Sequence, residues 1–186
     1  GVAPRPPPPP PRWAGVPRRV LPLPPRGGPA PRAGPLAEVA GVPATSTSIA
    51  FADAVHALGL RTVAVAASYP DEVARLFVDF LADAGIEVVS MSSAGIDTAA
   101  EVGTLTASQV LRLAADNDHP GAQALLIPDT AMHTLAVLPD LEATLGKPVL
   151  TANQVTIWAG LRLADAEPIV PGLGTLFAER QTDVRR

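Results

Sequence analysis

Residues 62–91 read TVAVAASYPDEVARLFVDFLADAGIEVVSM. Residues 62–67 are small or β-branched at every position, as a strand buried on both faces requires. Ser68, Tyr69 and Pro70 break the run as a loop. Acids then open a helix over 71–84, with Val73, Leu76, Phe77, Phe80 and Leu81 spaced for one face and Gly85 as its stop. Residues 86–91 make the next strand. A strand, a helix and a second strand of this kind form a right-handed βαβ unit in a parallel sheet.

The same rhythm continues on either side. Residues 45–58 predict an Ala-rich helix with Ile49, Ala52, Val55 and His56 on one face, Thr45, Ser46 and Thr47 as N-cap residues and Gly59 as its end. A polar loop covers 92–105 and a helix 106–115. Residues 122–127 form a strand, and 134–145 a helix interrupted or offset by Pro139. A short strand at 147–150 leads to a helix at 153–164 that carries Trp158. The fold class is therefore α/β, a flavodoxin-like parallel sheet with helices on both faces, over residues 38–166. Residues 167–186 read as a C-terminal extension.

Residues 1–37 differ in kind. They hold 14 of the 22 Pro and six Arg (5, 12, 18, 19, 26 and 32) without one acid. Proline fixes φ and donates no amide hydrogen, so this tail is expected to be extended or disordered. It reads either as a linker or as a ligand for a proline-binding groove, and Trp13 does not decide between them. Without those six Arg, eight bases face 18 acids in the remainder. Such an acidic body argues against a nucleic-acid surface. No apolar run is long enough to span a membrane, and the start lacks the apolar stretch of a signal peptide. The cytoplasm is the expected location. The chain has no cysteine, which excludes disulfides, thiolate metal sites and cysteine nucleophiles. Its three His (56, 119 and 133) show no metal-ligand spacing, so no metal is expected.

In parallel sheets the ligand site lies beyond the carboxyl ends of the strands. That rule selects the loops at 44–48, 68–71, 128–133 and 151–154. All four carry hydroxyls, amides or a carboxylate. The segments with Thr45, Ser46, Thr47 and Ser48, and with Thr151 and Asn153, precede helices, whose free amides suit a carboxylate or phosphate. The same residues serve equally as ordinary caps. No glycine-rich phosphate loop is present, which disfavours nucleotides. Tyr69, the only tyrosine, either donates to a substrate oxygen or fills a turn before Pro70. Asp129 follows an apolar strand as an acid–base candidate, or as a turn residue with Thr130. His133 either reaches the same pocket or is structural. Residues 116–119 read as a solvated turn.

Gly41-Val-Pro-Ala-Thr45 is similar to Gly146-Lys-Pro-Val-Leu-Thr151 with one insertion, and each precedes a helix. The pattern suggests two related halves. The strand and loop expected before the first copy are replaced by the proline tail, so the chain reads as lacking most of a first half.

Three stretches together carry a family resemblance: Gly41 to Ser48 with its Ala-rich helix, Tyr69-Pro70 after a strand, and Leu141-Glu142 through Gly146-Lys-Pro-Val-Leu-Thr-Ala-Asn-Gln154 to Trp158. They resemble the maleate cis-trans isomerase and arylmalonate decarboxylase family of the aspartate/glutamate racemase superfamily. Pro128-Asp-Thr-Ala-Met-His-Thr134 looks similar to its ectoine-utilisation branch. The resemblance implies two flavodoxin-like halves with the site between them, no cofactor and a small carboxylate substrate; a homo-oligomer is one possible assembly of the chain. It also implies one cysteine per half as acid, base or nucleophile, and a tyrosine, hydroxyls and amides that hold the carboxylate. Tyr69 matches that tyrosine, Asp129 falls where the second cysteine stands, and Thr130 follows it in the oxyanion-binding loop. Thr45, Ser46, Thr47, Ser68, His133 and Asn153 are the further substrate-contact candidates. The first cysteine belongs before Gly41 and is absent. A carboxylate is a poorer carbon nucleophile than a thiolate, so addition to a double bond loses support. One-base proton transfer by Asp129 in an isomerase, racemase or decarboxylase relative, a hydrolytic step, binding without chemistry, or a truncated fragment without function remain open.

Overall fold

The computed structural model describes residues 34–178. The proline-rich segment 1–33 and the terminal residues 179–186 lie outside them. The elements in chain order are α1 (Gly34–Ala40), α2 (Thr47–Ala57), β1 (Thr62–Ala67), α3 (Asp71–Asp83), β2 (Glu87–Ser93), α4 (Ala99–Val102) and α5 (Ala107–Asp116). Then come β3 (Ala124–Ile127), a 3-10 turn (Leu135–Val137), α6 (Leu138–Leu145), β4 (Val149–Thr151), α7 (Ala152–Leu163) and a last 3-10 turn (Thr175–Phe177). The four strands are parallel, in the order β2-β1-β3-β4.

The strand residues explain the two layers. Successive strand side chains point to opposite faces. Val63, Val65, Ala67, Leu126 and Leu150 face one apolar core with α2, α3 and α7. Ala64, Ala66, Leu125, Ile127 and Val149 face the other, with α4, α5 and α6. Every residue of β3 and β4 is buried, as a doubly covered sheet demands. On the first face Phe51 meets Phe77 edge-on with ring centroids 5.3 Å apart. Such a pair adds roughly 1 kcal/mol to the burial of its rings.

Several local expectations are corrected. Val73 and Leu76 of α3 are 45% and 48% exposed, and the small Ala74 takes the inward position beside Phe77 and Leu81. His56 is exposed, and Ala50, Phe51 and Ala54 are among the residues α2 buries instead. β2 runs two residues past Met91, and the loop after it contains α4. The helix over 134–145 is offset at Pro139, as expected: Leu135–Val137 is a 3-10 turn, and Pro139 lies in the first turn of α6, where its missing amide costs nothing. Helix α1 starts before Glu38 with Pro35 in its first turn, for the same reason. Gly59 and Gly85 end α2 and α3 at φ +71° and +77°, the left-handed geometry that favours glycine.

Two segments beyond the expected elements are built into the body. Leu176 and Phe177 are buried in the α2–α3–α7 core. Glu142 of α6 holds that turn: its carboxylate accepts from the Thr175 amide at 2.9 Å, the Thr175 hydroxyl at 3.0 Å and the Val149 amide at 3.1 Å. The turn at 116–119 is not merely solvated. Lys147 Nζ donates to the His119 and Ala122 carbonyls at 2.9 and 3.0 Å and pairs with Asp118 at 2.8 Å.

Candidate active site

Parallel strands bring their carboxyl ends to one edge, and β1 and β3 are direct neighbours there. The residues that follow them, Ser68-Tyr69 and Pro128-Asp129, therefore meet. Ser68 is fully buried, and its hydroxyl donates to Asp129 Oδ2. The other oxygen of Asp129, Oδ1, accepts from the Ala131 amide at 2.7 Å. Asp129 itself is half-buried, and among the described residues no Lys, Arg or His forms an ion pair with it.

The Ser68-Tyr69 loop is held from the β2 side. The Ala67 and Ser68 carbonyls accept from the Ala94 and Ile96 amides at 2.9 and 2.7 Å. The Tyr69 carbonyl accepts from the Ser93 hydroxyl at 2.5 Å. Tyr69 packs its ring against the α2–α3–α7 core. Burial pushes its phenol well above the ordinary tyrosine pKa, and the negative charge of Asp129 pushes it further. The phenol, neutral at physiological pH as any tyrosine is, therefore keeps its proton into more alkaline solution.

The third wall comes from β4 and α7. Thr151 ends the strand and caps the helix, with its amide donating to Gln154 Oε1 at 3.1 Å. Asn153 Nδ2 donates to the Thr130 carbonyl at 3.0 Å, tying the start of α7 to the Asp129 loop. Ser68, Tyr69, Asp129, Thr130 and Asn153 are therefore one linked cluster.

The remaining sequence candidates stand apart from those bonds. The Ser46 hydroxyl accepts from the Ile49 amide at 3.3 Å and so caps α2. The Thr47 hydroxyl meets that of Thr156 on α7 at 3.0 Å, joining the two helices. Thr45 lies just before that cap and turns its hydroxyl to the neighbouring Ser46 carbonyl at 3.5 Å. His133 is exposed and shares no hydrogen bond with the cluster. Ser93 and the buried Thr134 were not among the candidates. The Thr134 hydroxyl has no partner among the described residues. A longer reading of β2 would have found Ser93, because it too stands at a strand's carboxyl end.

No group of His, Asp and Glu among the described residues is arranged to hold a metal. No described helix is long and apolar enough to cross a membrane.

Fold and cluster together define a doubly wound α/β domain with a carboxylate and a tyrosine at the carboxyl edge of its sheet. Residues 33–177 match the arylmalonate decarboxylase family, and the chain belongs to that family. It is similar to arylmalonate decarboxylase of Bordetella bronchiseptica, with 32% identity over 146 residues that cover 76% of this chain and 60% of the relative. It is 28% identical to maleate isomerase of Pseudomonas putida over 73% of this chain and 55% of that one. Among solved structures, maleate isomerase of Pseudomonas putida S16 bound to maleate superposes with a TM-score of 0.71, at 28% identity over 77% of this chain and 58% of that chain. A maleate cis-trans isomerase variant from Nocardia farcinica, with a covalently bound succinylcysteine intermediate, gives a TM-score of 0.71 at 26% identity over 77% and 61% of the two chains. The chain thus spans less than two thirds of the length of these relatives.

Proposed function

We propose that the protein acts on a small carboxylate without a cofactor, by moving a proton at the carbon next to the carboxylate. Support comes first from the direct pairing of the Ser68-Tyr69 and Asp129 loops at the ligand edge. In this reading Asp129 is the proton-transfer group. As a carboxylate it removes the proton from carbon, and the electron pair moves into the substrate carboxylate to give an enediolate. As a carboxylic acid it returns a proton to such an enediolate, including one left by loss of carbon dioxide. Tyr69, as a neutral phenol, donates to the enediolate oxygen that gains charge. Thr130, Asn153 and the first amides of α7 complete the carboxylate contact. Thr45, Ser46, Thr47 and His133 are the further substrate contacts in this proposal. The proposed setting is the cytoplasm, with small carboxylates and other copies of the chain as the partners and no nucleic acid. The folded unit is taken as residues 38–178 rather than 38–166, because the turn at Thr175–Phe177 is buried in its core.

The names of the relatives choose the substrates to try: phenylmalonate for decarboxylation and maleate for isomerisation. Carried out in heavy water, the assay reads loss of carbon dioxide and deuterium entering carbon. Turnover that Asp129→Asn abolishes is the expected result, and turnover that the substitution leaves unchanged would sink the assignment. A second reading is carboxylate binding without chemistry. It is favoured by the lack of any cysteine here, where the Nocardia farcinica variant carries its succinyl adduct on one. It predicts a raised melting temperature with maleate or phenylmalonate and no deuterium at carbon.

A further inference from the structure

Ser68 is among the fully buried polar groups that the chemistry above does not use. Ser68 has no exposed surface, so it offers a ligand nothing to touch, and its hydroxyl hydrogen is given to Asp129 Oδ2. A serine placed so cannot serve as a nucleophile either, because an attacked carbon would have to reach a buried oxygen.

Its backbone is fixed independently of Asp129. The Ser68 carbonyl accepts from the Ile96 amide at 2.7 Å, and the carbonyls before and after it are held by Ala94 and Ser93 at 2.9 and 2.5 Å. These three bonds come from the end of β2 and the loop beyond, while Asp129 follows β3. The hydroxyl therefore carries the position of one strand end to another. On the far side the Ala131 amide holds Oδ1 at 2.7 Å. One donor on each oxygen fixes both the direction and the plane of a carboxylate, which one donor alone does not. Each oxygen has two lone pairs, so capacity remains for a proton.

We infer that Ser68 is a positioning residue, which sets the plane of the Asp129 carboxylate for proton transfer and makes no contact with substrate. The kinetic arm rests on the proton-transfer role proposed for Asp129; the structural arm does not. With phenylmalonate as the probe, Ser68→Ala is expected to lower kcat by about 100-fold, the scale of a misplaced catalytic group, with KM unchanged. Ser68→Thr, which restores a hydroxyl, is expected to recover most of that loss. Where its extra methyl does not fit, Ser68→Cys fills the space with a weaker donor and gives an intermediate rate. A rise in KM at unchanged kcat would overturn the inference and make Ser68 a substrate contact, leaving the proton-transfer role intact. Absence of turnover in the natural chain would count against that role instead. Independently of turnover, proton NMR of the intact chain should show a slowly exchanging Ser68 hydroxyl hydrogen, and Asp129→Ala should release it to solvent exchange. An exchange rate indifferent to Asp129→Ala would overturn the positioning itself.

Discussion

The two edges of the sheet treat their polar groups differently. At the amino edge Lys147, Gln123 and Glu142 all hold the fold together. The Lys147 ammonium is divided between two carbonyls and Asp118, the Gln123 amide oxygen takes the Arg61 and Thr62 amides at 2.8 and 3.1 Å, and Glu142 ties α6 to β4 and to the turn at Thr175. At the carboxyl edge Asp129 is met only by neutral donors, Tyr69 is held as a phenol, and the buried Thr134 hydroxyl has no partner among the described residues. Unspent hydrogen-bonding capacity is costly inside a protein, and the two buried hydroxyls among the described residues that keep it, Thr134 after β3 and Thr151 at the end of β4, both lie at the carboxyl edge. Substitutions at the two edges should accordingly fail in opposite ways.

The largest effect is expected at the carboxyl edge and in rate alone. Asp129→Asn should cut turnover by roughly 10²- to 10⁴-fold, the usual share of a general acid–base group. Asparagine still offers an oxygen to Ser68 or Ala131, so unfolding free energy should move by no more than about 1 kcal/mol. Urea denaturation beside the assay checks both; a large loss of stability would erase the contrast between the edges. Lys147→Met should do the reverse. It leaves a mostly buried Asp118 and two carbonyls without their cation, which costs about 2–3 kcal/mol, discounted because both partners keep some exposure. Any turnover measured well below the melting transition should stay within about twofold. A stable Lys147→Met variant with altered rate would break the comparison.

Glu142→Gln is expected to be milder. The amide keeps one acceptor oxygen and loses the other, so the bonds to Thr175 and Val149 are only partly lost, at about 1 kcal/mol. Thermal unfolding would show a lowered midpoint. Native-state hydrogen exchange should find the Thr175 amide released first, because its tether reaches back 33 residues along the chain.

That long tether explains what could and could not be read in advance. The run at 62–67 matches β1 end for end because an unbroken small and β-branched run has few other uses. The α3 face was misjudged because larger apolar residues outrank alanine in a pattern, while close packing on a sheet prefers Ala74 over Val73. Leu176 and Phe177 gave no local sign of burial, since a distant glutamate places them. Tyr69, Asp129 and Asn153 could be selected by the strand-end rule alone, and the structure gathers them at one edge. What that rule cannot distinguish is a hydroxyl free for ligand from one already committed. Ser46 caps a helix, Thr47 bridges two helices and Ser68 serves Asp129, and each commitment depends on a partner fixed only by folding.

The last effect, absent at neutral pH, concerns the phenol, and it tests whether the carboxyl edge is as dry and as negative as its geometry implies. Tyr69 has a folded pKa raised above its ordinary value of 10.0, by burial first and by Asp129 second. Below pH 10 both folded and unfolded chains keep the proton, and the raised pKa costs nothing. As pH rises past 10 the unfolded chain releases that proton while the folded chain retains it, so stability falls, by at most about 1.4 kcal/mol per pH unit for one group. Tyr69→Phe removes this contribution. The difference in unfolding free energy between natural chain and variant should therefore be flat from pH 7 to 9 and then shift in favour of the variant as pH climbs from 10 to 11. Adding Asp129→Asn to the natural tyrosine should soften the fall without removing it, because burial is the larger cause. A fall removed entirely by Asp129→Asn would make charge, not burial, the cause, and Tyr69 would then be wetter than its packing against the α2–α3–α7 core indicates.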